Sequence, residues 1–390
     1  MRCKLSEIAL VSAGQGAPQG DSNYCESGTP FVKAGNLQEL SNGASIDAIQ
    51  KVSNEVAATH GLKLQRKGSV LFAKSGMSCL KGYVYVLPED AYIVSHLACV
   101  TPMGVDSDYL CYYFRFHRPN KLVKDAAYPS ISLADIGCLE IEIPEGNEVT
   151  QIVDALKRVE SIINLHCQQF TALDTLIKAR FVELFGEPEA NTKNWPVVNM
   201  ADLCIVGSSK RIYQSEQSMD GVPFWRISDL TNLINTGMAT AELFISEERY
   251  MMLQAQEQVP VEGDILVTSR GTLGQCYIVR ADDKFYFQDG MISWLSEYAD
   301  GITPLYIAYL FSMPGFRKQI DSMQAGSTVA YLSIAMIRKL KVMLPDMETQ
   351  NQFSTFVAQV DKSKAVVQAA HVIAQNLHSR RQQKCRILNF

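Results

Sequence analysis

The sequence predicts an α+β protein made of two copies of one module with small curved sheets. The copies are separated by two long helices that pair as an antiparallel coiled coil. Three observations predict this. The chain is written twice, each copy carries short strand-like runs between turn residues, and each copy is followed by an apolar seam at helical spacing.

The repetition runs in order along the chain. KLSEIALVSAGQG from Lys4 returns as NMADLCIVGSSKR from Asn199, and GTPFVKAGNLQ from Gly28 returns as GVPFWRISDLTN from Gly221. KGSVLFAKSGMS from Lys67 returns as EGDILVTSRGTL from Glu262, and DYLCYYFRF from Asp108 matches PLYIAYLFS from Pro304. YPSISLADIGCLEIEIP from Tyr128 matches VAYLSIAMIRKLKVMLP from Val329, with the offset near two hundred residues throughout. Ordered matches at a steady offset mean two copies of one fold.

VLFAK (70–74), ILVTS (265–269), YVYVL (83–87) and CYIVR (276–280) are rich in strand formers and bounded by Gly, Ser and Asn. The YLCYYFRF and LYIAYLFS runs read as helices packed on the sheet. In the first long helix Ile152, Leu156, Val159, Ile163, His166, Phe170, Leu173 and Ile177 alternate steps of four and three. Asn147 is a suitable N-cap, and Gly186 followed by Pro188 stops the helix. The second runs from about Asp346, with Phe353, Val357, Val360, Val367 and Ala374 as a weaker seam, into the basic tail RRQQKCR. The expected division is a module over 1–146, a helix over 147–190, a module over 191–345 and a helix over 346–390.

The 390 residues suffice for two or three well-filled domains. No apolar run approaches the roughly 20 residues of a membrane-spanning helix. The N-terminal MRCKLSEIALVSAGQG carries charge too early for a secretory signal. Ten cysteines without a CxxC pair read as reduced thiols of a cytoplasmic protein. The net charge of −5 does not advertise a nucleic-acid binder, so any grip on phosphate must come from local basic loops.

Catalytic signatures are absent from the sequence. There is no GxxxxGK[ST] loop, no [DNS]PP[YF] tetrapeptide, no dinucleotide fingerprint and no HExxH or HxE…CxxC zinc pattern. Asp282 and Asp283 read as a solvated turn, His166 as a packed seam histidine, and His96 aligns with Asp289 of the other copy. The polar loops say more, because they recur at matching places with different chemistry. Lys33 and Asn36 follow one PF pair, and Arg226 and Asp229 the other. Lys74 and Ser75 lead into Gly76, and Ser269 and Arg270 into Gly271. Arg and Lys suit phosphate or guanine edges, Asn suits adenine, and Asp can accept from cytosine.

The pattern resembles the specificity subunit of type I restriction–modification systems. PFWRISDL (223–230), GDILVTSRGTLG (263–274), GSTVAYLSIAMIRKLKVMLP (326–345) and LDTLIKARFVELFG (173–186) carry the resemblance, which with the duplication covers nearly the whole chain. It implies two target-recognition domains on the two halves of a split duplex-DNA sequence. It implies two adenine methyltransferase subunits around the helices and restriction subunits beyond them. S-adenosylmethionine, ATP and Mg would belong to those partners, with no cofactor, metal or catalytic residue here. The implied DNA contacts in the first copy are Lys33, Asn36, Lys74, Ser75, Lys81, Tyr128 and Ser130. In the second they are Ser208, Ser209, Lys210, Arg211, Arg226, Asp229, Ser269, Arg270, Thr272, Gln288, Ser327, Thr328 and Tyr331. The alternative readings are an enzyme, such as a nuclease or methyltransferase fragment, and a purely structural repeat protein.

Overall fold

The computed structural model describes residues 2–324 and 330–387, with side chains described as far as 379. The chain divides into two compact units, Met1–Cys167 with Gln368–Phe390 and Gln168–Val367.

The first unit has a four-stranded antiparallel sheet in the order Ala9–Ala13, Leu97–Pro102, Val70–Ala73, Val84–Val86. In a smaller sheet Thr29–Val32 pairs antiparallel with Lys51–Val52 and parallel with Tyr92–Ile93. Arg2–Lys4 pairs with Glu140–Glu142 and closes the module.

The second unit repeats that plan. Its four strands run Ile205–Gly207, Ile292–Ser296, Ile265–Thr268, Cys276–Ile278. Its smaller sheet again has one antiparallel and one parallel neighbour on Val222–Trp225, namely Phe244–Ile245 and Tyr286–Phe287. Gln217–Ser218 adds an extra edge. Val197–Asn199 pairs with Lys341–Met343 as the closure. The duplication in the sequence is therefore a duplication of strand order and polarity.

Local chemistry explains the shared parts. The strands Val70–Ala73 and Ile265–Thr268 are buried at every residue, so they read as continuous apolar runs rather than alternations. Phe72 meets Phe114 of the helix Ser107–Phe116 at 5.0 Å between ring centroids. The helix Pro304–Ser312 occupies the matching place in the second copy, as the sequence suggests. The glycine before each PF pair answers one constraint. A Cβ at Gly28 would lie 2.5 Å from the Val52 carbonyl oxygen, and one at Gly221 would lie 2.4 Å from that of Ile245.

The first long helix spans Glu148–Phe185 and, at 1.5 Å per residue, is about 55 Å long. Asn147 accepts from the Gln151 amide at its start, and Gly186 ends it with φ +82°. The second spans Met347–Ile387, and Asp346 Oδ1 accepts from the Thr349 amide at its entrance. Each helix contributes to both units, and within each unit the two segments pack antiparallel. In the first unit Glu160 faces His378 and His166 faces His371, with ring centroids 5.9 Å apart. In the second Asp174 binds Lys364 at 2.6 Å and Phe181 meets Phe353 at 5.5 Å. Partner numbers rise on one helix as they fall on the other, which defines the antiparallel register.

The seam of the second helix is stronger than its apolar residues suggest. Lys364, His371 and His378 are seven residues apart, partly buried and turned toward the first helix. The sequence reading took only the apolar members and so missed these three.

Glu160 is the best-supported of the polar seam groups. It accepts from Tyr112 Oη at 2.7 Å and Arg115 Nη1 at 3.1 Å, with His378 Nε2 at 3.4 Å. Burial opposes its charge. The bonds from His378 and Tyr112 and the Arg115 guanidinium outweigh burial and hold the carboxyl below its usual range. A depressed carboxyl pKa contributes stability that is full above the unfolded value of about 4.3 and is lost as pH falls through the folded value. Thermal melting from about pH 6 to about pH 3 is expected to show Glu160→Gln losing less stability than the native chain. Parallel melting curves would remove Glu160 from the acid response.

Candidate nucleic-acid interface

In each copy five segments distant in sequence meet at the same end of the sheets. In the first copy Gln15 N donates to Ile93 O at 3.2 Å and Ser95 N to Gln15 O at 2.7 Å. Val94 N donates to Val32 O beside Lys33, and Lys74 N to His96 O at 2.9 Å. Gly76 N donates to Pro129 O, and Ile131 N to Lys74 O at 2.7 Å, so Ser75 bridges to Ser130.

The second copy repeats three of these backbone bonds and holds the segment equivalent to Gln15 by serine side chains instead. Gln288 N donates to Trp225 O beside Arg226, and Ser269 N to Met291 O at 2.9 Å. Leu332 N donates to Ser269 O at 3.0 Å, beside Tyr331. Ser208 Oγ donates to Ile292 O, and Ser209 Oγ to Phe287 O at 2.7 Å. Nearly all of the candidate residues thus come together, although the chain scatters them.

Their side chains fall into two groups. Some serve the fold. Asn36 Oδ1 accepts from the Lys33 amide and Asp229 Oδ2 from the Arg226 amide, both at 2.9 Å, closing a helical turn in each copy. Asp229, Ser209 and Ser269 are buried, and Ser269 Oγ shares a 2.8 Å bond with Ser293 Oγ. These residues shape the loops and present no hydroxyl or carboxylate outward.

Others are partly or fully accessible. Lys33 Nζ bonds Gln50 Oε1 at 2.6 Å and lies 4.3 Å over the Tyr24 ring. Lys210 Nζ bonds Gln256 Oε1. Arg211 pairs with Asp289 at 2.9 Å, and Arg226 with Glu242 at 2.9 Å. Arg270 is exposed, forms no ion pair or hydrogen bond among the described residues, and lies 5.3 Å over the Tyr331 ring. Tyr128 is 83% exposed. Ser130 and Thr272 are exposed, and Gln288 is partly so. Lys81 ends the separate turn Met77–Lys81. Ser327 and Thr328 lie outside the described residues.

Sequence reasoning missed Gln15, Tyr24, Gln50, Glu242 and Asp289 as parts of these clusters. It also misaligned His96. The equivalent bonds from Lys74 and Ser269 pair His96 with Met291, because the second copy has one extra residue between its parallel strand and this turn. Asp283 accepts from Tyr277 Oη at 2.6 Å and the Arg280 amide at 2.8 Å, so it braces its turn. No helix among the described residues is long and apolar enough to cross a membrane.

A duplicated α+β module, carried on helix segments paired antiparallel and gathering polar loops at equivalent places, defines a class of two-module recognition proteins. The family model described as type I restriction modification DNA specificity domain matches residues 1–173 and 192–370, and the chain belongs to that family. It therefore stands on the specificity side of type I restriction–modification and is not one of its catalytic chains.

A putative type I restriction enzyme specificity subunit of Haemophilus influenzae is 22% identical over 207 residues, 53% of this chain and 50% of the relative. The MjaIX specificity subunit of Methanocaldococcus jannaschii is 26% identical over 148 residues, 36% of this chain and 33% of the relative. The matched segments thus span half or less of these relatives. Two solved structures share the fold over 99% of this chain. The type I restriction-modification S subunit of M. genitalium has a TM-score of 0.56 at 14% identity, with 95% of that chain covered. A chain from a study of complex assembly and conformational transition in a type I system has a TM-score of 0.58 at 17% identity, with 97% covered.

Proposed function

We propose that this chain reads a bipartite duplex-DNA target, one half-site per copy, and brings partner adenine methyltransferase and restriction subunits to it in the cytoplasm. The observation that carries the reading is the convergence of the same loops in both copies with different side chains. A common frame with altered readers is what two modules for two sequences need. S-adenosylmethionine, ATP and Mg would be held by the partners.

The long helices are the proposed recruiting surface. Ile162, Leu165, Ile373 and Leu377 of the first unit are 44–60% exposed on them. The stretch 178–183 and the tail from Arg380, whose side chains lie outside the described set, complete the proposal. Deleting the residues after Leu377 should weaken assembly with the methyltransferase more than it alters sequence choice.

Arg270 supplies the test of DNA reading. Its guanidinium lies over Tyr331 with no acid paired to it among the described residues, so it is pre-organised for phosphate or a guanine edge. Arg270→Ala is expected to cost about 1–3 kcal/mol in DNA binding by the assembled methyltransferase. A base contact would relax one position of one half-site in a map of methylated adenines. A phosphate contact would weaken all sequences and lower the salt slope by about one unit. Unchanged affinity, slope and motif together would take Arg270 off the reading surface.

A further inference from the structure

His96 has no part in the candidate set above, yet its setting in the first copy is that of a reader. It is exposed, and its ring Nδ1 lies 2.8 Å from Ser75 Oγ. Its backbone is pinned on several sides. Its carbonyl accepts from Lys74 N, the neighbouring Ser95 N donates to Gln15 O, and Leu97 N closes the turn onto Val94 O at 2.9 Å. Ser75 is itself held, since Gly76 N donates to Pro129 O and Ser75 bridges to Ser130.

The imidazole is thus oriented by a second side chain on a rigid turn, at the meeting point of the loops. When the serine hydroxyl donates to Nδ1, the neutral ring carries its proton on Nε2, which is left to point outward. No carboxylate pairs with His96 among the described residues, in contrast to Arg211 and Arg226 in the second copy. The equivalent residue there is Met291, which has no such donor. A ring whose orientation is already fixed loses little rotamer freedom on binding, which favours a directional contact over a diffuse one.

Resting on the recognition reading above, we propose that His96 is a specificity-determining residue of the first copy. It donates from Nε2 to a major-groove acceptor, the N7 of a purine or the O6 of guanine, and Ser75 is its positioning residue. The two residues form one reading unit that the second copy lacks.

The test uses the full chain assembled with its methyltransferase and a random-sequence duplex pool. Selected sequences, affinity for the winning duplex and salt dependence are read for native, His96→Ala, Ser75→Ala and Ser75→Thr proteins. His96→Ala is expected to bind the winning duplex about five- to a hundred-fold more weakly. It should accept other bases at one position of one half-site and leave the other half-site unchanged. Ser75→Ala should blur that same position by a smaller factor, and Ser75→Thr should restore it. His96 and Ser75 are accessible, so all the variants are expected to melt with the native protein. An unchanged motif and affinity for His96→Ala, with a clear native motif, would overturn the assignment of His96 alone. Weakening of all sequences with a lower salt slope would make it a phosphate contact and overturn base reading. A native complex that selects no bipartite motif would overturn the recognition reading itself.

Discussion

Phe353→Ala is expected to destabilise the second unit by about 4 kcal/mol, the largest effect of any single substitution considered. Phe353, Phe181 and Phe185 are 0% exposed, as is Tyr306 on the helix Pro304–Ser312. The Phe353 ring meets Phe181 at 5.5 Å, Phe185 at 5.4 Å and Tyr309 at 5.3 Å, each edge to face. Tyr306 closes the cluster against Phe185 at 4.8 Å. Rings at these separations and angles contribute beyond their area alone. Alanine would leave a cavity walled by rigid rings on two other helices, which cannot collapse to fill it. The thermal midpoint should fall on the order of 10 °C for a unit of this size. A fall of less than about 3 °C would show that the cluster relaxes freely and is not the anchor of the helix segments.

Gln350→Ala should be the next most damaging, at roughly 3 kcal/mol, chiefly through lost hydrogen bonds. Gln350 is 0% exposed and all its bonds are internal. Its Oε1 accepts from Thr303 N at 2.8 Å and Thr303 Oγ1 at 3.0 Å. Its Nε2 donates to Gly301 O and Pro345 O, both at 2.9 Å. Thr303 is also the N-cap of Pro304–Ser312, where its Oγ1 accepts from Tyr306 N. The amide therefore ties the start of the second long helix to the start of a core helix. Truncation strands the buried Pro345 carbonyl and the partly buried Thr303 and Gly301 groups. Gln350→Glu should not rescue, because a carboxylate cannot donate to two carbonyls and its charge would be buried. Urea unfolding separates the outcomes. A midpoint within experimental error of the native value for either variant would show that the site admits water. Phe353 and Gln350 lie one helical turn apart, so their effects should not simply add.

The loops that meet at the candidate interface are hung on short strands, and the strands on the core that Phe353 and Gln350 help to hold. Variants at either position are expected to lower stability without changing which sequence is chosen.

Much of the architecture was legible from residue order. The repeated GTPF/GVPF, VLFAKS/ILVTSR and closing segments announced two copies, because a repeated pattern of apolar and turn residues can fold only in one repeated way. The first helix was legible in its seam and in Gly186, because helical periodicity and chain termination are local properties. The strands Val70–Ala73 and Ile265–Thr268 were legible for the same reason.

The interface was legible only in part, and the failures share a cause. Asn36 and Asp229 each spend an oxygen on a backbone amide three residues away, which buries Asp229 and leaves Asn36 partly exposed. Ser209 and Ser269 look like any loop serine in sequence, and both are buried against the rest of the fold. His96 was paired with Asp289 by counting, and one extra residue in the second copy moves the true equivalent to Met291. Lys364, His371 and His378 broke the apolar pattern of the second helix and so hid its seam. The sequence by itself determined the copies, the helices and most strands, since these follow from spacing along the chain. Only the tertiary structure decided which polar groups face inward. That depends on partners such as Glu160 for His378 or Ser293 for Ser269, brought close by folding across many intervening residues.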